Sequence, residues 1–290
     1  MLNRIKHLIS RVLEKTAPVT VVKAQITTLA QNELLKDRKA LITGGTSGIG
    51  FQIARSFLNS GCEIVITGRN QAKINSVCFQ LEQENPEWKD RVHGVEMDVT
   101  KVDELDDKFD VVLQKMGGLD ILVNNAGVEG GHINWCKEED FDAIVNTNMK
   151  GVFFLSRIAG RYMIRNHISG NILNVCSSSS LRPANSVYTM SKWAVRSLTE
   201  GLARMLIPHQ IVVNGIAPGM TATPMLQKQD STDNLSRPDT LVGRYATAEE
   251  IANMAVIMVS GMCRMVVGDV LYMTGGSGLL YNEDMNYTFQ

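Results

Sequence analysis

Seven short apolar runs, separated by longer stretches of helical periodicity, constrain the fold of this chain more than any other feature. The runs span residues 39–43, 63–67, 92–97, 119–124, 171–177, 211–216 and 270–273. Between most of them, apolar residues recur at helical spacing, as in 49–59, 71–84, 102–116, 141–165 and 186–206. Near-continuous apolar strands that alternate with helices are typical of a parallel sheet. We therefore predict an α/β fold: a single-domain, doubly wound, seven-stranded parallel sheet with helices on both faces and ligands at the carboxyl ends of its strands.

Charge and cysteine content narrow the class of function. The 290 residues carry 29 Lys and Arg against 30 Asp and Glu, and the net charge of −1 argues against a broad nucleic-acid-binding surface. The five cysteines are widely spaced, which argues against a disulfide framework and against a metal site and favours a reducing, cytoplasmic location. No apolar run reaches the roughly 18 residues that a membrane-spanning helix needs.

Residues 1–38 differ in composition from the rest, and we predict that they form an extension to a catalytic domain spanning 39–290. The first 23 residues contain one acidic side chain, Glu14, and several basic ones. Their apolar residues recur three and four positions apart, which predicts a basic amphipathic helix: Ile5, Leu8, Ile9, Val12 and Leu13. Three interpretations stay open: a helix packed on the body or on another subunit, peripheral membrane contact through residues 1–16, or an organelle transit peptide.

A glycine-rich turn, TGGTSGIG at 43–50, connects the first apolar run to a predicted helix. Glycine allows the backbone to approach a pyrophosphate closely, and the free N–H groups at the start of the helix then bind phosphate oxygens. A tight turn without a ligand is the alternative, but together with the motifs described next the turn favours a bound dinucleotide. The candidate cofactor-binding residues in the turn are Gly44, Thr46, Ser47, Gly48, Ile49 and Gly50.

The following strand ends bear on the choice of cofactor. The second run is followed by Arg69 and by no acidic residue, where a carboxylate would bind a free ribose 2′-hydroxyl. Because a guanidinium suits a 2′-phosphate, we predict NADP as the preferred cofactor and NAD as the alternative; a solvated Arg69 at a helix start is the competing interpretation. Asp98, beside Val99, either binds the adenine or caps a helix with Thr100. The fourth run is followed by further candidate cofactor-binding residues: Asn125, Ala126 and Gly127.

Tyr188 and Lys192 are the candidate catalytic pair, because residues four positions apart share one face of a helix. A cation about 4 Å from a phenolate stabilises it by roughly 4 kcal/mol at an effective dielectric constant near 20. Stabilisation of that size makes a tyrosine useful as an acid and base near neutral pH. A chance pair in which the lysine extends to solvent is the alternative.

Two further side chains complete the candidate catalytic set. Ser177 ends the fifth run, where its hydroxyl would hold a substrate oxygen as charge develops on it, and Ser179 competes for this role. Asn148 lies on the apolar stripe of the helix predicted over 141–165, where a buried amide must find hydrogen-bond partners. It is either a structural bridge or part of a proton relay behind Lys192.

Taken together, these motifs resemble the short-chain dehydrogenase/reductase family. The matching segments are TGGTSGIG at 43–50, NNAG at 124–127, NTNMKG at 146–151, NILNVCS at 171–177, YTMSK at 188–192 and APGMTATP at 217–224. The resemblance implies a Rossmann-like nucleotide-binding fold, with Tyr188 as acid and base and Lys192 on the nicotinamide ribose. Ser177 would position the carbonyl, and Asn148 would belong to the proton relay. The resemblance also implies that the nicotinamide end is lined by Pro218, Gly219 and Thr223.

We therefore expect an NAD(P)-dependent oxidoreductase that interconverts a carbonyl and a secondary alcohol by hydride transfer. A non-catalytic NADP(H)-binding sensor or scaffold is the alternative, although it would have no need of the full catalytic set. Residues 224–243 should cover the pocket, and their polar composition favours a small polar or sugar-like substrate over a steroid or a long acyl chain. By resemblance, we expect a homodimer or homotetramer formed through the helices predicted over 141–165 and 186–206.

Overall fold

A computed structural model describes residues 33–226, 235–237 and 240–279. Its main sheet contains β1 (Lys39–Thr43), β2 (Glu63–Gly68), β3 (Val92–Glu96), β4 (Ile121–Asn124), β5 (Asn171–Val175), β6 (Val212–Pro218) and β9 (Val270–Met273). A separate two-stranded parallel ribbon pairs β7 (Thr221–Ala222) with β8 (Ala246–Thr247). The main sheet is parallel throughout and has the strand order β3-β2-β1-β4-β5-β6-β9. The predicted seven-stranded, doubly wound sheet is therefore confirmed.

Helices cover both faces of this sheet. They are α1 (Gly48–Asn59), α2 (Gln71–Glu84), α3 (Leu105–Met116), α4 (Glu138–Val145), α5 (Val152–Arg165), α6 (Val187–Leu206) and α7 (Ala248–Val259). One core layer packs α1, α2 and α7 against the sheet, and the other packs α3, α5 and α6. Because successive strand residues point to opposite faces, Ile42 enters the first layer and Leu41 the second. Burial on both faces explains the near-continuous apolar strands.

Two helical segments differ from the sequence prediction. The single helix expected over 141–165 is α4 and α5 joined by a π-helical turn, Asn146–Gly151. Helix α7 was not predicted, although it begins with a capping box: the Thr247 side chain accepts a hydrogen bond from the Glu250 N–H, and the Glu250 carboxylate accepts one from the Thr247 N–H. Its apolar residues lie nearly all around the helix, so the periodicity is weak.

The amino-terminal boundary of the packed body precedes residue 39. Leu35 is fully buried in the first core layer, and its N–H donates to the Ser60 carbonyl at the end of α1. Leu35, which the sequence prediction assigned to the extension, therefore packs against the body of the domain. The basic amphipathic helix predicted within residues 1–32 lies outside the described residues. Within the described stretches, none of the helices combines the length and the apolar character needed to cross a bilayer.

Candidate active site

A cleft of about 640 Å³ lies at the carboxyl ends of β1 to β6, where the strand order reverses between β1 and β4. In open α/β sheets, this reversal is where ligands bind. With two exceptions, the predicted site residues line the cleft: Gly44, Thr46, Ser47, Gly48, Ile49, Arg69, Asp98, Val99, Asn125, Ala126, Gly127, Ser177, Tyr188, Lys192, Pro218, Gly219 and Thr223. The exceptions are Gly50 and Asn148, which are buried and do not line the cleft.

The glycine-rich turn forms the floor of the cleft next to β1. Gly44 and Gly48 have φ of +65° and +54°, a region that side chains other than glycine rarely adopt. Ser47 is the N-cap of α1, yet its side chain makes no capping hydrogen bond, so the N–H groups of the first turn stay available to an anion. A Cβ at Gly50 would collide with the Asn125 amide and the Gly44 carbonyl. Gly50 therefore permits packing rather than ligand contact.

Two polar residues join this turn to the neighbouring strand β4. The Thr43 hydroxyl accepts hydrogen bonds from the N–H groups of Asn125 and Ala126, each 3.0 Å long. The Asn125 amide donates to the carbonyls of Thr43 (2.9 Å) and Gly44 (3.1 Å). The cleft floor is thus a hydrogen-bonded unit, and the open N–H groups and positive-φ glycines fit the pyrophosphate of a dinucleotide.

Two cationic side chains line the end of the cleft next to β2. Arg69 and Lys73 are exposed, line the cleft, and form no side-chain hydrogen bond or ion pair within the described part of the chain. Sequence reasoning missed Lys73, whose available signal was its position in the first turn of α2. Asp98, at the end of β3, accepts from both the N–H (3.0 Å) and the hydroxyl (2.8 Å) of Thr100. Asp98 therefore stabilises a local turn. It is not a helix N-cap, because the N-cap of the short helix that follows is Lys101. Asp98 also lines the cleft.

Tyr188 and Lys192 lie at the start of α6, whose N-cap is Ser186. The Ser186 hydroxyl accepts a hydrogen bond from the Thr189 N–H, which fixes the first turn that carries the tyrosine. Lys192 is only 6% exposed, and its ammonium donates to the Val175 carbonyl at the end of β5, 2.8 Å away. The same ammonium lies 5.7 Å from the centre of the Tyr188 ring. A buried cation is therefore held beside the phenol by one strand end.

Asn148 lies in the π-helical turn and is 99% buried. Its amide oxygen accepts from the Val128 N–H (2.9 Å), while its NH₂ group donates to the Val128 carbonyl (2.9 Å) and to the Ser191 hydroxyl (3.0 Å). Ser191 in turn donates to the Tyr188 carbonyl, 2.7 Å away. Gly127 lies next to both the Asn148 amide and the Lys192 ammonium. These contacts tie the π turn, the segment after β4 and the tyrosine helix together.

Some of the serines that follow β5 line the cleft, and others have a structural role. Ser177 is buried, lines the cleft, and accepts a hydrogen bond from the Ser179 N–H at 3.1 Å. Ser179 also lines the cleft, so lining alone does not separate the two candidates. Ser180 is fully buried, and its hydroxyl donates to the Ser177 carbonyl, 2.7 Å away. Burial raises the pKa of the neighbouring Cys176 thiol to about 11, which keeps it protonated at neutral pH.

The opposite wall of the cleft comes from the segment after β6. The Gly219 N–H donates to the Met273 carbonyl (2.9 Å), and a Cβ at this glycine would press on the Thr274 backbone. Thr223 reaches across the cleft to the glycine-rich turn and packs beside Gly48. In the part of the chain that the structure describes, no three His, Cys, Asp or Glu side chains gather as a metal site.

Comparisons with known proteins agree with this geometry. Residues 38–234 match the sequence profile of the family described as short chain dehydrogenase. The chain is 34% identical over 249 residues to gluconate 5-dehydrogenase from Gluconobacter oxydans. The aligned region covers 83% of this chain and 95% of that protein. It also resembles 3-ketoacyl-(acyl-carrier-protein) reductase from Brucella melitensis complexed with NADH, with a TM-score of 0.76, 30% identity, and 84% and 100% of the two chains covered.

A second solved structure carries the other form of the cofactor. A short chain dehydrogenase from Burkholderia cenocepacia in complex with NADP has a TM-score of 0.74 and 30% identity, covering 83% of this chain and 98% of that one. The family match at 38–234 includes β1 to β7 and the residues that line the cleft. The chain belongs to the short-chain dehydrogenase/reductase family and is a nicotinamide-dinucleotide-dependent oxidoreductase.

Proposed function

We propose that this enzyme interconverts a carbonyl and a secondary alcohol, with Tyr188 as the proton donor and acceptor and NADP(H) as the preferred cofactor. The observation that carries the proposal is the buried Lys192 ammonium, held by the Val175 carbonyl beside the Tyr188 ring in the cleft. A lysine is buried at a cost unless it has a partner or a task. One carbonyl partner leaves most of its charge free to act on the phenol and on a ligand.

The side chains divide the chemistry among them. A nicotinamide held in the cleft would supply or accept the hydride. Tyr188 gives its proton to the substrate oxygen during reduction and takes it back during oxidation, and the Lys192 cation stabilises the phenolate that forms. Ser177 donates a hydrogen bond to the same substrate oxygen as negative charge develops there. Asn148 holds the tyrosine helix in register through Ser191 rather than contacting the reacting atoms.

The cofactor would be held along the strand ends. Open N–H groups of the glycine-rich turn, with Thr46 to Ile49, suit the pyrophosphate, and Asp98 suits the adenine. The nicotinamide half would be flanked by Asn125 to Gly127, Pro218, Gly219 and Thr223, and Lys192 would bind its ribose. Arg69 and Lys73 support a preference for NADP, because a 2′-phosphate would pair with both cations.

Cofactor preference is tested by removing both cations. We expect Arg69→Ala/Lys73→Ala to lose about tenfold or more in the NADPH-to-NADH ratio of kcat/KM, since each charge-assisted hydrogen bond contributes roughly 1.5–3 kcal/mol. The matched control is Arg161→Ala, an exposed arginine on α5 outside the cleft. An unchanged ratio would show that these residues are solvated charges without a role in cofactor choice.

The reaction itself is tested by following NADPH oxidation with a panel of ketones, aldehydes and keto-sugars. The similarity to gluconate 5-dehydrogenase supports including sugar acids, and the polar segment 224–243 supports small polar substrates; its residues 227–234 and 238–239 lie outside the described part. Tyr188→Phe should abolish turnover, whereas Tyr162→Phe, the same change on α5 away from the cleft, should not. Turnover that survives Tyr188→Phe would refute the mechanism. NADPH binding without turnover on any panel member would favour the sensor alternative.

The assembly is part of the same proposal. Helices α5 and α6 expose large apolar side chains, among them Phe153 (49% exposed), Met205 (62%) and Trp193 (40%). Large apolar side chains exposed on neighbouring helices are typical of subunit interfaces when they form a contiguous surface. We propose a homodimer or homotetramer in which these helices form the interface. The test is the mass in solution, measured by light scattering for the wild type and for Phe153→Glu.

A further inference from the structure

Two charged side chains of the cleft have no role in the function proposed above. The cleft is lined by six charged residues, of which Arg69, Lys73 and Asp98 belong to the cofactor end and Lys192 to the catalytic pair. The other two are Glu129, in the segment after β4, and Arg182, in the loop between β5 and α6. Neither forms a side-chain hydrogen bond or ion pair within the residues that the structure describes.

The backbone of Arg182 is held by hydrogen bonds, one of them from α6, the helix that carries Tyr188 and Lys192. Its N–H donates to the Ser179 carbonyl (3.1 Å), and its carbonyl accepts from the Trp193 indole N–H (2.8 Å), one residue after Lys192. Pro183 follows directly and restricts the chain further. The base of the side chain is therefore positioned relative to Tyr188. Arg182 is exposed and lines the cleft, and its guanidinium forms no hydrogen bond or ion pair with the residues that the structure describes.

The segment that carries Glu129 is joined to the same loop. The Ile133 N–H donates to the Asn185 carbonyl (3.0 Å), and the Val187 N–H donates to the Gly131 carbonyl (2.9 Å). The two segments thus form one rim, with a cation on one side and a carboxylate on the other. A cation without an internal partner fits an anion of the ligand, and the carboxylate accepts hydrogen bonds from ligand hydroxyls but disfavours a second anionic group.

We infer that the substrate is a small hydroxylated carbonyl compound with a single anionic group, carboxylate or phosphate, and that Arg182 binds that group. This inference rests on the proposed oxidoreductase function, and it names the substrate class of the same site. Arg182 would orient the carbonyl towards Tyr188 by bidentate hydrogen bonds, for which a planar guanidinium is better suited than an ammonium. Glu129 would bind hydroxyl groups of the same substrate.

The turnover experiment uses three carbonyl compounds with one three-carbon skeleton: dihydroxyacetone, hydroxypyruvate and dihydroxyacetone phosphate. For each, kcat/KM is measured with NADPH for the wild type, Arg182→Gln and the control Arg161→Gln. We expect Arg182→Gln to lower the charged-to-neutral ratio about tenfold or more, with kcat/KM for dihydroxyacetone within about twofold of wild type. Differences in intrinsic carbonyl reactivity cancel, because each ratio is compared between variants. A ratio unchanged by Arg182→Gln, or an equal loss with all three compounds, would overturn the inference.

A binding experiment separates this inference from the reaction mechanism. The Tyr188→Phe enzyme loaded with NADPH is titrated calorimetrically with hydroxypyruvate and with dihydroxyacetone phosphate, with and without Arg182→Gln. We expect at least one of the two anions to bind. Its affinity should fall about tenfold in the variant that combines Tyr188→Phe with Arg182→Gln, and should recover in part when Arg182→Lys is used instead. The anion that binds more tightly shows whether Arg182 prefers a carboxylate or a phosphate. Failure of both anions to bind would overturn the inference. Arg182-dependent binding together with turnover that persists in Tyr188→Phe would instead refute the proposed mechanism alone.

Discussion

A buried network of polar side chains connects β4 and β5 with α5 and α6, and replacing its central residue, Asn174, should lower the free energy of unfolding. Asn174, on β5, is fully buried; its amide oxygen accepts from Asn124 on β4 (2.8 Å), and its NH₂ donates to the Thr199 hydroxyl on α6 (2.9 Å). Asn124 also donates to Ser156 on α5 (2.9 Å). These hydrogen bonds therefore connect two central strands with α5 and α6, two of the three helices that cover one face of the sheet.

Asn174→Leu preserves the approximate volume but removes both hydrogen bonds. One N–H of Asn124 is then left buried without a partner, which costs about 1–3 kcal/mol, and the lost bond to Thr199 adds about 1 kcal/mol. We expect a loss of about 2–4 kcal/mol in the free energy of unfolding, measured by urea titration. At about 2–4 °C per kcal/mol for a chain of this size, Tm should fall by roughly 5–15 °C.

The matched control is Asn75→Leu, the same change on the exposed face of α2, where the Asn75 amide oxygen accepts a hydrogen bond from the Gln71 side chain. It should alter the free energy of unfolding by no more than about 0.5 kcal/mol. A loss below about 1 kcal/mol for Asn174→Leu would refute the reasoning, because it would mean that the orphaned Asn124 amide finds another partner or water at little cost.

Three further predictions concern the rim, the serine pair and the α7 cap. Gly131→Ala should destabilise the protein by about 1–3 kcal/mol in thermal unfolding, since φ is +68° and a Cβ would press on apolar side chains at under 3.0 Å. Ser177→Ala should lower kcat about 100- to 1,000-fold and Ser179→Ala less than tenfold, and the reverse order would exchange their roles. Hydrogen bonds from Arg244 and a backbone N–H lower the pKa of Glu250 from 4.5 to about 2. Because its pKa is lower in the folded state than in the unfolded state, ionised Glu250 stabilises the protein at pH values above the unfolded pKa. This stabilisation is lost as the pH falls towards 2. Because the pair is exposed, Glu250→Gln should cost less than about 1 kcal/mol at neutral pH, with a deficit that disappears in urea titrations near pH 2.

The sheet and the cleft followed from local patterns, whereas the polar network did not. Apolar runs with helices between them were enough for seven strands, because burial on both faces leaves a continuous signal. The asparagines of β4 and β5 interrupt such runs, and nothing local identifies their partners, which lie 25 to 50 residues away. Arg182 and Lys73 escaped prediction for a related reason: a solvated cation and a cleft-lining cation look alike in sequence.

The contacts of Asn148 bear on how catalysis and stability are connected in this fold. Its amide uses both N–H donors and an oxygen lone pair on Val128 and Ser191, so the side chain has little capacity left for a proton relay. The structure therefore favours the bridge interpretation for the side chain. Because Ser191 passes the constraint to the Tyr188 carbonyl, the bridge sets the position of the tyrosine relative to the segment after β4. A residue that touches no ligand would then affect turnover by the precision with which it holds one that does.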